Sequence, residues 1–216
     1  ADHPTAWHAL TPARRLAADL WPTSAVVGNV LNSEDLYLEA INHPAGDLAQ
    51  FWINVVAHEW QTHTDTWSGF PDDLRDELDR MVHDRSRNGL LARVVLTTRL
   101  RFFFGADLEW ARTRLMPLFA WPRDMADVTE VRGIWRSFVR FGQYDDQILS
   151  EGFLDKMLET MRRADDLDDP EATAQLGRHL ATVALESSLD PSVWLSMLTT
   201  DAPSVLKLAW IESIGQ

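Results

Sequence analysis

Three groups of side chains in this 216-residue chain have types and spacings that chemistry could use. His58-Glu59-Trp60-Gln61-Thr62-His63 looks at first like a zinc-hydrolase helix, where two histidines face one metal and a glutamate serves as base. That arrangement needs histidines at i and i+4. Here they stand at i and i+5, about 140° apart around a helix, and no third ligand is assigned. No zinc is expected at His58 and His63. Asp165-Asp166-Leu167-Asp168-Asp169 gathers four carboxylates in five residues, yet lacks the spacing and the glycine of a calcium loop. It reads as a solvated loop whose last acid helps open a helix at Pro170. The third group is Arg132, Arg136 and Arg140, at i, i+4 and i+8, one stripe along a helix. Val128, Val131, Trp135 and Phe138 form the apolar face beside it. Guanidinium stripes suit bidentate recognition of carboxylate or phosphate, and they equally suit pairing with acids of the same chain. We expect at least one of the three to be solvent-accessible and to contribute to partner binding. Trp67, in the polar turn Thr66-Trp67-Ser68-Gly69, is the tryptophan expected to be most exposed and is a second candidate for partner contact.

Other chemistries lack their residues. With no cysteine, disulfide scaffolds, thiolate metal sites and thiol catalysis are excluded. There is no GxxxxGK[ST], no GxGxxG and no GxSxG string, so phosphate cradles and the serine-hydrolase elbow are missing too. No catalytic residue, cofactor or metal ligand is assigned. The net charge of −13 is uneven. Residues 1–84 carry 14 acids and 4 bases, residues 85–140 carry 5 acids and 11 arginines, and residues 141–216 carry 14 acids and 5 bases. Such a balance repels a polyanion at long range, which disfavours nucleic acid, while leaving a central basic zone for a local anion. No apolar run approaches the ~18–20 residues of a membrane span. The expectation is a soluble, cytoplasmic globular domain without a membrane partner.

The elements that position these side chains have a helical period almost throughout, with no sustained alternation and no hairpin turn. The sequence predicts an all-α fold: an irregular antiparallel helical array, bundle or short α-solenoid, of eight or more helices. The first helix starts at Thr11-Pro12 and stops before Pro22. Ser33-Glu34-Asp35 caps a short helix over Leu36–Ile41, and a long one follows from Asp47 to about His63. Pro71-Asp72-Asp73 opens the next. Residues 88–104 form an apolar helix closed by Gly105, and further helices cover 107–119, 124–141, 145–167 and 170–189. Two shorter C-terminal pieces complete the set, the last beginning near Pro203. No linker divides the chain, so one domain over residues 1–216 is expected.

Between the second and third helices lies Asn42-His43-Pro44-Ala45-Gly46. A residue before proline avoids helical angles, so one helix ends near Asn42. Pro44 suits the first position of the next, with His43 or Asn42 as its cap. Gly46 allows close approach of a neighbour. The pattern is a tight interhelical corner.

The stretch from Glu39 to Trp52, containing Ala40-Ile41-Asn42-His43-Pro44-Ala45-Gly46 and an aromatic amphipathic helix, resembles a signature of the bacterial domain of unknown function numbered 4020. That family forms the C-terminal part of large proteins that begin with a sirtuin-like domain, similar to anti-phage systems that destroy NAD on infection. The likeness is sharp over about fourteen residues and general elsewhere. It implies a helical recognition or regulatory domain, a sensor or assembly module, here a fragment of a larger protein. Any NAD hydrolysis would belong to a separate N-terminal domain. The implied partner is a phage protein or the effector domain of the same chain, and an oligomer is possible. Two other classes stand beside it: an enzyme using carboxylates with His43 or His58 in a cleft, and a nucleic-acid-binding array around the arginine zone.

Overall fold

A computed structural model describes residues 10–21, 35–122 and 128–214. Among them there is no strand, and the fold is the all-α array the periodicity predicts. The chain divides into two compact units, Ala1–Leu96 and Thr97–Gln216, although no linker composition marks the boundary.

In the first unit, α1 (Leu10–Leu20) is followed by α2 (Leu36–Ile41) and α3 (Pro44–Thr62). Next come α4 (Asp72–His83) and α5 (Arg87–Thr98), whose last two residues belong to the second unit. Asp35 caps α2 by accepting from the Tyr37 and Leu38 amides, as an N-terminal Asp should; Ser33 and Glu34 lie outside the described residues. α4 starts after Pro71 with Asp72 and Asp73 in its first turn, where the helix dipole favours negative charge. Its buried residues Leu74, Leu78, Met81 and Val82 form one stripe; α4 contacts α3, whose Trp52, Val55 and Val56 are buried as well. Fully burying each such side chain contributes about 1.5–3 kcal/mol. The end of α4 is held by a wholly buried arginine: Arg93 Nη1 donates to the Val82 carbonyl at 3.1 Å and to that of Asp84. Arg87 forks onto the buried Glu39 carboxylate, tying α5 to α2.

The second unit begins with α6 (Leu100–Ala106). The sequence predicts one helix over 88–104 closed by Gly105. Instead the chain turns at Arg99 (φ −103°, ψ 22°) after two β-branched threonines, and α6 runs through Gly105 to a cap at Asp107. Asp107 then caps α7 (Leu108–Trp110), which widens into a π-turn over Ala111–Leu115 and tightens over Met116–Phe119. α8 spans Thr129–Phe141; the expected start at Asp124 lies outside the described residues. The helix expected over 145–167 is also interrupted. α9 (Asp146–Ile148) passes into a wide turn, Leu149–Phe153, where Gly152 takes φ 98°, a conformation only glycine adopts cheaply. α10 (Leu154–Arg162) and a tight turn over Ala164–Leu167 follow. α11 (Pro170–Glu186), α12 (Ser192–Asp201) and α13 (Ser204–Ile214) close the chain, and α11 packs chiefly on α13. The core holds Phe119, Trp135, Phe138 and Phe153 with ring centroids 4.9–6.2 Å apart. Mostly edge-to-face, these pairs add about 0.5–1.5 kcal/mol each beyond area burial.

Candidate recognition surface

The arginine stripe of α8 and the acidic run 165–169, read separately in the sequence, meet in the structure. Arg132 Nε donates to the Asp166 carbonyl at 2.7 Å and Arg136 Nε to the Leu167 carbonyl at 2.7 Å. Arg136 Nη2 reaches the Asp168 carbonyl, and Arg140 Nη2 the Asp169 carboxylate at 2.6 Å. Successive turns of one helix thus cap the orphan carbonyls at the end of the tight turn, where cations belong. Asp168 sits there in the left-handed region (φ 51°, ψ 39°), and Asp169 opens α11 by accepting from the Glu171 and Ala172 amides. The three side chains keep 31, 19 and 28 % of their exposure, and Arg140 as a residue is exposed, so the stripe is solvent-accessible at one of its three positions, as expected.

The 42–46 corner is built from neighbours in sequence. Asn42 ends α2, its Nδ2 donating to the Leu38 carbonyl at 2.7 Å. His43 is the cap of α3: its Nδ1 accepts from the Ala45 amide at 3.1 Å, with Pro44 at the first helical position. At Gly46 a Cβ would lie 1.8 Å from the Ala40 carbonyl oxygen, so the two helix ends touch backbone to backbone. His43's accepting nitrogen is spent on this cap.

Trp67 lies beyond the other end of α3, about 27 Å along the helix from the corner. It is half-buried, stacked on Trp60 (centroids 6.4 Å, 27°) and edge-on to Phe70 (6.3 Å, 71°). With Glu59, His63, Phe70 and Pro71 it lines a depression of about 300 Å³. Glu59 sits 3.4 Å from Arg14 Nη1 and 3.4 Å from His63 Nδ1; Arg14 also pairs with Asp73 and lies over Trp52. His63 Nδ1 further lies 3.0 Å from the Glu59 carbonyl. Among the described residues no three His, Asp or Glu side chains converge as a metal cage requires.

A second depression, of about 360 Å³, is lined by Tyr144, Asp145, Asp146 and Glu186. Beside it, His179 Nε2 lies 2.8 Å from the Val139 carbonyl and Nδ1 3.2 Å from the Tyr144 hydroxyl. A carbonyl can only accept, so Nε2 carries the proton. Burial pushes His179 below the usual imidazole value, against the Val139 bond. Burial, then the Glu186 charge, pushes Tyr144 above the usual phenol range. Both are held neutral. No sequence signal marked this pair, whose members lie 35 residues apart.

No helix among the described residues is long and apolar enough to cross a membrane. No family model matches the chain, and no curated protein or solved structure matches it either.

Proposed function

We propose that this chain is a non-enzymatic helical recognition or regulatory module, a sensor or assembly domain of a bacterial sirtuin-like anti-phage defence protein in the cytoplasm. The resemblance over Glu39–Trp52 supplies the context. The observation that carries recognition is the half-exposed Trp67 beside Glu59 and Phe70 at a surface depression: an aromatic anchor of the kind that dominates binding energy at protein interfaces. The donors of Arg132, Arg136 and Arg140 are largely taken by their own loop, so Trp67 is the better partner-facing candidate. The partner is a phage protein or the effector domain of the same polypeptide.

The test uses the protein expressed from its whole reading frame. Cells carrying it should lose NAD on phage infection, and Trp67→Ala should abolish that loss while the protein remains expressed and folded. A reading frame with no effector domain, or a Trp67→Ala protein that responds as fully as the parent, would refute the assignment.

A further inference from the structure

We infer that the depression beside Trp67 binds a cationic side chain, an arginine or lysine presented by a basic segment of a partner protein. This deepens the recognition reading and rests on it. Trp67, half-buried and stacked on Trp60, supplies the aromatic surface, backed edge-on by the buried Phe70, and tryptophan is the strongest aromatic partner for a cation. Pro71 extends the apolar wall, against which the aliphatic stem of a long basic side chain packs while its charged head reaches polar surroundings. The Glu59 carboxylate lines the same space, and the head would share it with Arg14 and His63, each 3.4 Å from it.

The local charge balance points the same way. Asp65 is exposed in the tight turn Thr64–Thr66, and Asp72 and Asp73 are exposed immediately after Pro71. Arg14 bridges Glu59 and Asp73. Residues 59–73 carry these four acids and no lysine or arginine, continuing the excess of 14 acids over 4 bases across residues 1–84. An anionic ligand would meet repulsion here, whereas a basic segment would be drawn in and oriented.

The probe is a capped hexa-arginine peptide, titrated into the purified chain at low and high salt and followed by isothermal titration calorimetry. Saturable binding is expected, weakening about tenfold or more from 50 to 500 mM salt as screening sets in. Trp67→Ala and Glu59→Gln should each weaken it about tenfold, and Trp67→Phe should keep most of it. Asp155→Asn, an exposed acid of the second unit, should change nothing. Equal losses in Asp155→Asn and Glu59→Gln, or equal binding of hexa-glutamate, would overturn the proposal. So would unaltered affinity in a folded Trp67→Ala protein. If Trp67→Ala still blocks the infection response in the whole protein while hexa-arginine fails to bind, the ligand class is wrong and the recognition surface stands.

Discussion

The 42–46 corner and the arginine ladder solve the same problem, joining one helix end to the next start, by opposite means. At the corner every contact lies within a few residues: Asn42 reaches Leu38, His43 reaches Ala45, and Gly46 touches Ala40. In the ladder the junction at 166–169 is held by side chains about thirty residues away on α8. The first device needs little beyond its own sequence. The second exists only once α8 has docked, so a stripe that resembles a binding surface becomes part of the scaffold.

Gly46→Ala should break the local device most severely. Its Cβ would meet backbone 1.8 Å away, with no side chain able to yield, so a loss of about 3 kcal/mol or more is expected. Urea unfolding measures it; a loss under ~1 kcal/mol would mean the corner can open. Arg136→Ala probes the long-range device. It removes charged hydrogen bonds to the Leu167 and Asp168 carbonyls, costing about 2 kcal/mol. Arg136→Lys should recover only part, because one ammonium cannot reproduce the planar fork. A fully stable Arg136→Ala protein would return the stripe to the list of free surfaces.

The Tyr144–His179–Val139 link is a second contact made only by packing, and pH should reveal it. Burial lowers the His179 pKa below 6.5, so on acidification the unfolded chain takes up the proton first. The stability from burying the neutral ring is whole above about pH 6.5 and is lost as pH falls below it. The unfolding temperature should therefore drop between about pH 7.5 and 5.5, and His179→Gln should flatten that drop while keeping a donor for Val139. The smallest effect is expected at Asp168. Glycine would relieve its left-handed backbone, about 1–2 kcal/mol for an L residue, against about 0.4–1 kcal/mol lost to a more flexible unfolded chain. It would also remove exposed pairs with Arg132 and Arg136 worth about 0–1 kcal/mol. Calorimetry should show a near balance; a large loss from Asp168→Gly would make those pairs the working part of the ladder.

Helices whose starts carry a cap and a proline were legible to within a few residues. Asp35 before Leu36, Pro44 at the start of α3, Pro71 before Asp72, and Asp169 with Pro170 all mark elements found there. Where such punctuation is weak, the sequence misled: the turn at Arg99 and the wide turn at Leu149–Phe153 both interrupt stretches read as continuous helix. Trp67 was read as exposed from its polar neighbours, whereas stacking on Trp60 leaves it half-buried. Its companion Phe70 and the wall at Pro71 were not legible, because the reversal through Gly69 (φ 111°) brings them together.

The sequence by itself determined the helical class, most helix boundaries and the corner at His43-Pro44. Capping, proline sterics and apolar period act over one to four residues and are written directly in the chain. Only the tertiary structure decided that Arg132, Arg136 and Arg140 would meet the carbonyls of 166–168 and the Asp169 carboxylate, that Arg93 would be buried whole, and that Arg87 would fork onto Glu39. A charged side chain has no intrinsic preference among the many acceptors of an acidic chain. Its partner is fixed by where packing of the apolar faces brings the helices, and that packing is a property of the whole unit rather than of any local string.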